Sequence, residues 1–164
     1  MKRIFIIRHS KSSWSDISLR DIDRPLNGRG KKDAPLMARI LFQKGYKIDH
    51  IYLSPSRRTH DSAAYYIKEH EVRSKNIIVE DSLYHGYPED YENTIYGLAE
   101  DKNNVAFFGH NPGITILINN CIGRPIDNVP TSGIVVLESE APTWQKFNFE
   151  SSVMKDYIYP KQYK

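Results

Sequence analysis

Apolar and polar positions along this chain alternate between two rhythms. Ile4-Phe5-Ile6-Ile7 is an unbroken apolar run rich in β-branched residues, which predicts a strand over 3–7 buried on both faces. Short apolar runs at 48–53, 76–79 and 105–108 predict three more. Between them the apolar period lengthens toward that of a helix. "DAPLMARILFQKG" sets Leu36, Ile40 and Leu41 on one face, with Pro35 in the first turn and Gly45 as a stop. "PSRRTHDSAAYYIKEH" follows the second strand and "PEDYENTIYGLAED" precedes the fourth. After the fourth comes "GHNPGITILINNCIG", with Asn111 as N-cap, Pro112 at the first helical position and Gly123 as stop.

This alternation predicts an α/β fold with a mainly parallel sheet. The end of the chain departs from it. "SGIVVLES" and "TWQKFNFES", separated by "EAPT", predict an antiparallel hairpin at one sheet edge, and "DYIYPKQYK" is a tail with no assigned role. The stretch 10–30 has almost no apolar periodicity, and a long irregular loop in a compact domain is often functional. With no internal repeat and no low-complexity linker, residues 1–164 are expected to form a single domain.

Composition adds exclusions. The 164 residues are 40% hydrophobic and 26% charged, as expected of a globular protein, and the net charge of +3 suits an anionic ligand without indicating nucleic acid. No run of five Lys or Arg occurs, and the eleven tyrosines are scattered, so a stacking nucleic-acid surface is not expected. One cysteine, Cys121, excludes an intrachain disulfide and is expected to be a buried, inert thiol. No apolar segment approaches bilayer length and no signal peptide is recognisable, so a cytoplasmic protein is expected.

In open α/β sheets the ligand sits beyond the carboxyl ends of the strands. Arg8 and His9 follow the first strand, Arg57 and Arg58 the second, and Gly109, His110 and a helix N-terminus the fourth. So many positive groups in one crevice call for a dense anion. Guanidinium forks and helix N-termini both match phosphoryl oxygens. Arg20, Arg24 and Arg29 in the irregular loop are further candidates. A neutral imidazole can attack phosphorus, and arginines with a second histidine can stabilise the transferring group without a metal. No carboxylate cluster, HxxxH or CxxC accompanies the site, so neither a metal nor a cofactor is expected.

The blocks "RHSKSSW", "DRPLNGRG", "LSPSRRTHDSA" and "FGHNPG", in this order, resemble the histidine phosphatase superfamily, and within it the SixA-type phosphohistidine phosphatase branch. The resemblance runs from about residue 3 to about residue 137. It implies a three-layer α/β/α sandwich of the phosphoglycerate mutase-like type. His9 resembles the nucleophile that accepts the phosphoryl group, Arg8 the arginine beside it, and His110 the second histidine. The family spacing, four residues after the serine of "SP", selects Arg58 over Arg57. Arg24 matches an arginine that the branch adds to the phosphate pocket, with Asn27 and Gly28 shaping that loop. Asn111, at the capped helix start, joins the phosphate-binding set.

Three departures accompany the resemblance. Ser10 stands where many members have glycine. His85 stands where many have a glutamate acid, which SixA-type members commonly lack; His85 and Glu89 are the candidate proton donors. No long insertion covers the crevice, which leaves room for a protein surface. The expected substrate is a phosphorylated protein, and specifically a phosphohistidine. A phosphatase of small phosphate esters and a phosphoryl-binding module without turnover are the rivals. Asp61 and Ser62 are expected to steady Arg58, and Thr131 and Ser132 to form a turn. His50, His60 and His70 are expected at the surface or half buried.

Overall fold

The sheet is built outward from the run that opens the chain. In a computed structural model, which describes residues 1–123 and 125–164, β1 (Lys2–Arg8) lies near the middle of a six-stranded sheet of order β3-β2-β4-β1-β5-β6. Here β2 is His50–Leu53, β3 Ile77–Val79, β4 Asn104–Gly109, β5 Ile134–Ser139 and β6 Val153–Ile158. The strands β3, β2, β4 and β1 run parallel, while β5 pairs antiparallel with β1 and β6 antiparallel with β5.

Strand alternation divides the core into two layers. Ile4 and Ile6 of β1 join Val105, Phe107, Val135 and Leu137 on one face, against α3 (Pro88–Tyr96), α4 (Gly113–Asn119) and Trp144, Phe147 and Phe149. Phe5 and Ile7 join Ala106, Phe108, Ile134 and Val136 on the other, against α1 (Gly28–Gln43) and α2 (Arg57–Glu69). All twelve of those strand residues are at most 1% exposed, which explains why β1 and β4 read as continuous apolar runs. Each buried Val, Leu, Ile or Phe side chain among them contributes about 1.5–3 kcal/mol of burial energy. The result is the expected three-layer α/β/α sandwich.

Several local expectations need correction. The hairpin partner of β5 is Val153–Ile158, not the segment around Phe147 and Phe149. Those rings instead cap the core beside a 3-10 turn, Trp144–Lys146, with Phe147 packed on Trp144 and Phe149 on Phe147. The supposed tail therefore supplies half of β6, and Ile158 is buried. Helix α1 starts at Gly28, five residues before the apolar pattern, so Pro35 lies inside it. Asn27 caps it, accepting from the Gly30 N–H at 2.9 Å, and a Cβ at Gly30 would strike the Lys11 carbonyl. The polar first turns of α1 thus lie against the loop after β1, where no apolar face is needed. Helix α4 begins one residue later than expected, at Gly113, and ends at Asn119, before Gly123.

Candidate active site

Three strands end at one place because they run parallel, and each delivers its next residues to the same edge. The Arg8–Gly109 register between β1 and β4 sets His9 and His110 side by side, with ring centroids 5.0 Å apart. Both imidazoles are nine-tenths or more buried. His9 Nδ1 lies 2.8 Å from the Ser10 carbonyl, an acceptor only, so Nδ1 carries the proton and donates to it. The lone pair is therefore on Nε2, which accepts from Arg58 Nε at 3.3 Å.

Arg58 stands in the first turn of α2 with its guanidinium buried across the cleft. It also donates from Nη2 to His110 Nδ1, at 3.3 Å. A guanidinium cannot accept, so His110 carries its proton on Nε2 and donates it to Ser54 Oγ at 2.7 Å. One edge of Arg58, Nε with Nη2, is thus aimed at two imidazole lone pairs. The other edge is held by Asp21, through its carbonyl to Nη1 at 2.7 Å and its Oδ2 to Nη2 at 3.0 Å.

Burial drives both imidazoles to their neutral forms. His9 is pushed down to about 3 by desolvation, with Arg58 and Arg8 adding to the effect against the opposing Ser10 contact. His110 is pushed down to about 2 by desolvation, then by His9 and Arg58. Burial alone would raise the Asp21 carboxyl, but Tyr84, Arg58 and Arg24 outweigh it and hold it at about 2. Arg8 donates through Nη1 to the Val129 carbonyl at 2.8 Å, and its buried Nε has no hydrogen-bond partner among the described residues.

Other predicted residues take different places. Arg24 is buried but spends Nε on the Ser13 carbonyl, Nη1 on Asp21 and Nη2 on Ser12 Oγ, while Trp14 lies over its guanidinium, 3.1 Å from ring centroid to Cζ. It joins the irregular loop to Asp21 and stands behind Arg58. The Asn111 amide is also engaged internally, donating to the Val129 carbonyl at 3.0 Å and accepting from Thr115 Oγ1 at 2.9 Å, so it fastens α4 to the 128–129 loop. Arg57 points to solvent beside Asp61, Arg20 pairs with Asp23, and Arg29 reaches Thr131. Ser62 steadies the site as expected: it accepts from the Ser10 N–H at 2.8 Å and donates to the Arg58 carbonyl at 2.7 Å. Ser132 is buried, at a φ of 61°, with its hydroxyl 2.6 Å from that of Ser10.

His110 and Arg58 open on a cleft of ≈ 240 Å³ whose walls include Asp21, Tyr84, His85 and Asn111. His85 is exposed and packs on Tyr84, ring centroids 4.1 Å apart. Glu89 is exposed on the first turn of α3 and does not line the cleft. A Cβ at Gly113 would strike the Gly86 carbonyl, so only glycine lets α4 approach this wall. His70 corrects the surface expectation: it is 1% exposed and far from this end of the sheet, accepting the Ile48 N–H ahead of β2. Asp21, Tyr84 and Ser54 were not singled out from the sequence. Ser54 directly follows β2 and the strand-end rule reaches it, whereas nothing in "SDISLRDIDRPL" separates Asp21 from Asp16 or Asp23.

Among the described residues no group of three or more His, Cys, Asp or Glu side chains is placed to hold a metal ion, and no helix is long and apolar enough to cross a membrane.

Residues 4–93 match the sequence model of the histidine phosphatase superfamily (branch 1). An uncharacterized chloroplastic protein of Arabidopsis thaliana is 43% identical over 61 residues, which are 37% of this chain and only 28% of that protein. Solved structures share the fold over nearly the whole chain. A candidate phosphohistidine phosphatase SixA from Agrobacterium tumefaciens superposes with a TM-score of 0.83 at 24% identity, covering 97% of this chain and 98% of that one. The protein histidine phosphatase SixA complexed with tungstate gives 0.80 at 20% identity, with 99% of both chains covered. A mycobacterial glucosyl-3-phosphoglycerate phosphatase complexed with VO3 gives 0.66 at 14% identity, covering 98% of this chain and all (100%) of the other.

Proposed function

Because the chain belongs to the histidine phosphatase superfamily, we propose that it is a metal-independent phosphatase of the SixA type, carrying the phosphoryl group on His9 and acting on phosphohistidine in proteins. One observation carries the reading: Arg58 presents a single fork to the lone pairs of His9 Nε2 and His110 Nδ1. The spacing that serves two imidazole nitrogens also serves two oxygens of a phosphoryl group. His9 Nε2 attacks phosphorus, a P–N bond forms, and the bond to the leaving group breaks. Water then attacks the phosphoryl group, the P–N bond breaks, and phosphate leaves while His9 recovers its lone pair.

Charge is supplied by guanidinium groups. Arg58 supplies its inner fork, and Arg8 has a buried Nε in need of an acceptor. A dianion beside His110 favours its charged form against the burial that keeps it neutral, so its Nδ1 gains a proton and donates to a phosphoryl oxygen. A leaving imidazole can depart already protonated, which fits a cleft wall without a buried carboxylic acid. Two structural relatives were solved in complex with tungstate and with VO3, both oxyanions. The open cleft suits a histidine presented on a protein surface.

A phosphatase of small esters is the second reading, favoured by His85 on the cleft wall as a proton donor. The test is phosphate release from a phosphohistidine-bearing protein domain and from p-nitrophenyl phosphate, by wild type and His9→Ala. Release from the protein substrate that vanishes in the variant supports the first reading. Turnover of the ester alone supports the second, and turnover of neither leaves a phosphoryl-binding module.

A further inference from the structure

Arg58 is held along two edges, and only one of them faces the imidazoles. The inner edge, Nε and Nη2, meets His9 and His110. The outer edge, Nη1 and Nη2, is closed by the carbonyl and carboxylate of a single residue, Asp21. The same carboxylate accepts from Arg24 Nη1 at 3.1 Å and from the Tyr84 hydroxyl at 2.6 Å. Asp21 lines the cleft with its side chain 49% exposed, so its charge faces the space an anion would enter.

We propose that Asp21 is the positioning residue of this site: it grips the outer edge of Arg58 to aim the inner fork at the phosphoryl group, and its charge opposes the retention of phosphate. This rests on the phosphatase reading for the first half and on geometry alone for the second. A guanidinium that can swivel places its fork correctly only part of the time, and misplacing a donor by about 1 Å can cost ~10²-fold in rate. Asp21 removes that freedom from the side away from the chemistry. It is also an internal counter-ion for two arginines, so a bound phosphate must share them with it. Tyr84 fixes the carboxylate in turn, and its ring meets His110 edge-on at 5.6 Å.

The two roles predict opposite signs in one variant. Asp21→Asn keeps the backbone carbonyl and the size of the side chain but removes the charge. Wild type, Asp21→Asn, Asp21→Glu and Tyr84→Phe would be compared for kcat and KM, and for binding of inorganic phosphate by calorimetry. In Asp21→Asn, kcat falls about 10–100-fold while phosphate binds several-fold more tightly. Tyr84→Phe, which leaves the charge in place, lowers kcat by less and does not tighten phosphate, and Asp21→Glu restores the phosphate affinity toward wild type. A merely structural role would weaken phosphate binding and turnover together, and that result overturns the proposal. So does an unchanged kcat in both Asp21→Asn and Tyr84→Phe. If Asp21→Asn does not fold, Tyr84→Phe, which loses one hydroxyl at the cleft rim, decides the positioning half by its fall in kcat. Asp21→Ser, which also removes the charge, then decides the other half by its phosphate affinity. A wild type that binds phosphate but turns over nothing removes the phosphatase reading and, with it, the positioning half, while the phosphate affinities still decide the role of the charge.

Discussion

Two ends of the sheet each bury neutral imidazole, and they do different things with it. His70, near the start of β2, is 1% exposed and pushed down to about 4 by desolvation, offset by the Ala38 backbone and aided by Lys47. Its ring lies parallel to Tyr66, 6.3 Å away, and edge-on to Phe42 at 5.5 Å. Nδ1 accepts the Ile48 N–H. At the opposite end, His9 and His110 are equally buried and pushed further down. What separates the two regions is the donor that faces the lone pair. At His70 it is a backbone N–H bounded by aromatic rings. At His9 and His110 it is a guanidinium fork, which on the proposed function exchanges the imidazoles for phosphoryl oxygens. A depressed imidazole is thus a sign of burial, and a site only where charge has been gathered to meet an anion.

The widest separation of the two regions is expected from His9→Ala, which on the proposed mechanism lowers phosphate release by at least ~10³-fold because it removes the imidazole that forms the P–N bond. Single-turnover trapping of an acid-labile phosphoenzyme would check it, and a phosphoenzyme persisting in His9→Ala would move the nucleophile elsewhere. Next is Arg58→Lys. It keeps the charge and loses the side-on fork, so kcat/KM is expected to fall by about 10²–10³-fold with the melting temperature little changed. Activity near wild type would mean that the fork is not what meets the phosphoryl group.

His70→Leu sharpens the contrast from the other side. Activity should stay within about twofold, while the orphaned Ile48 N–H costs about 1–3 kcal/mol of stability at pH 7. The sign of the pH effect follows from the depressed value. Unfolded imidazole binds a proton below pH ~6.5, and folded His70 does not until about 4. Wild type therefore loses about 1.4 kcal/mol per pH unit from this residue as pH falls between those limits. His70→Leu does not, so its deficit should close by about pH 5 in urea titrations.

The smallest effect is the ligand dependence of that slope. His9 and His110 contribute the same loss below pH ~6.5, continuing toward about 3 and about 2. Phosphate should flatten the share of His110, which can take a proton beside a bound anion, and leave that of His70 untouched. Equal slopes with and without phosphate would place the anion away from His110.

Much of this was legible without coordinates, for reasons particular residues make clear. Ile4 to Ile7 and Val105 to Phe108 sit on the central strands, where both faces are covered and every position must be apolar. Parallel strands deliver their next residues to one edge, so Arg8, His9, the pair Arg57 and Arg58, and His110 could be gathered by rule, and the family resemblance then chose Arg58. The hairpin was harder. Phe147 and Phe149 alternate like a strand because Phe147 packs on Trp144 and Phe149 on Phe147, while β6 has its first three residues exposed and carries little apolar signal.

Local pattern thus determined which strands form the centre and which side chains arrive at its edge, because burial on both faces leaves a mark on every residue of a segment. Tertiary structure alone decided how the donors are spent. Arg24 and the Asn111 side chain, both assigned to phosphate, are bound to neighbours, while Asp21, indistinguishable from Asp16 and Asp23 in the chain, holds the outer edge of Arg58. Hydrogen-bond partners 37 residues apart leave no periodicity to read; they exist only once the loop and the helix have met.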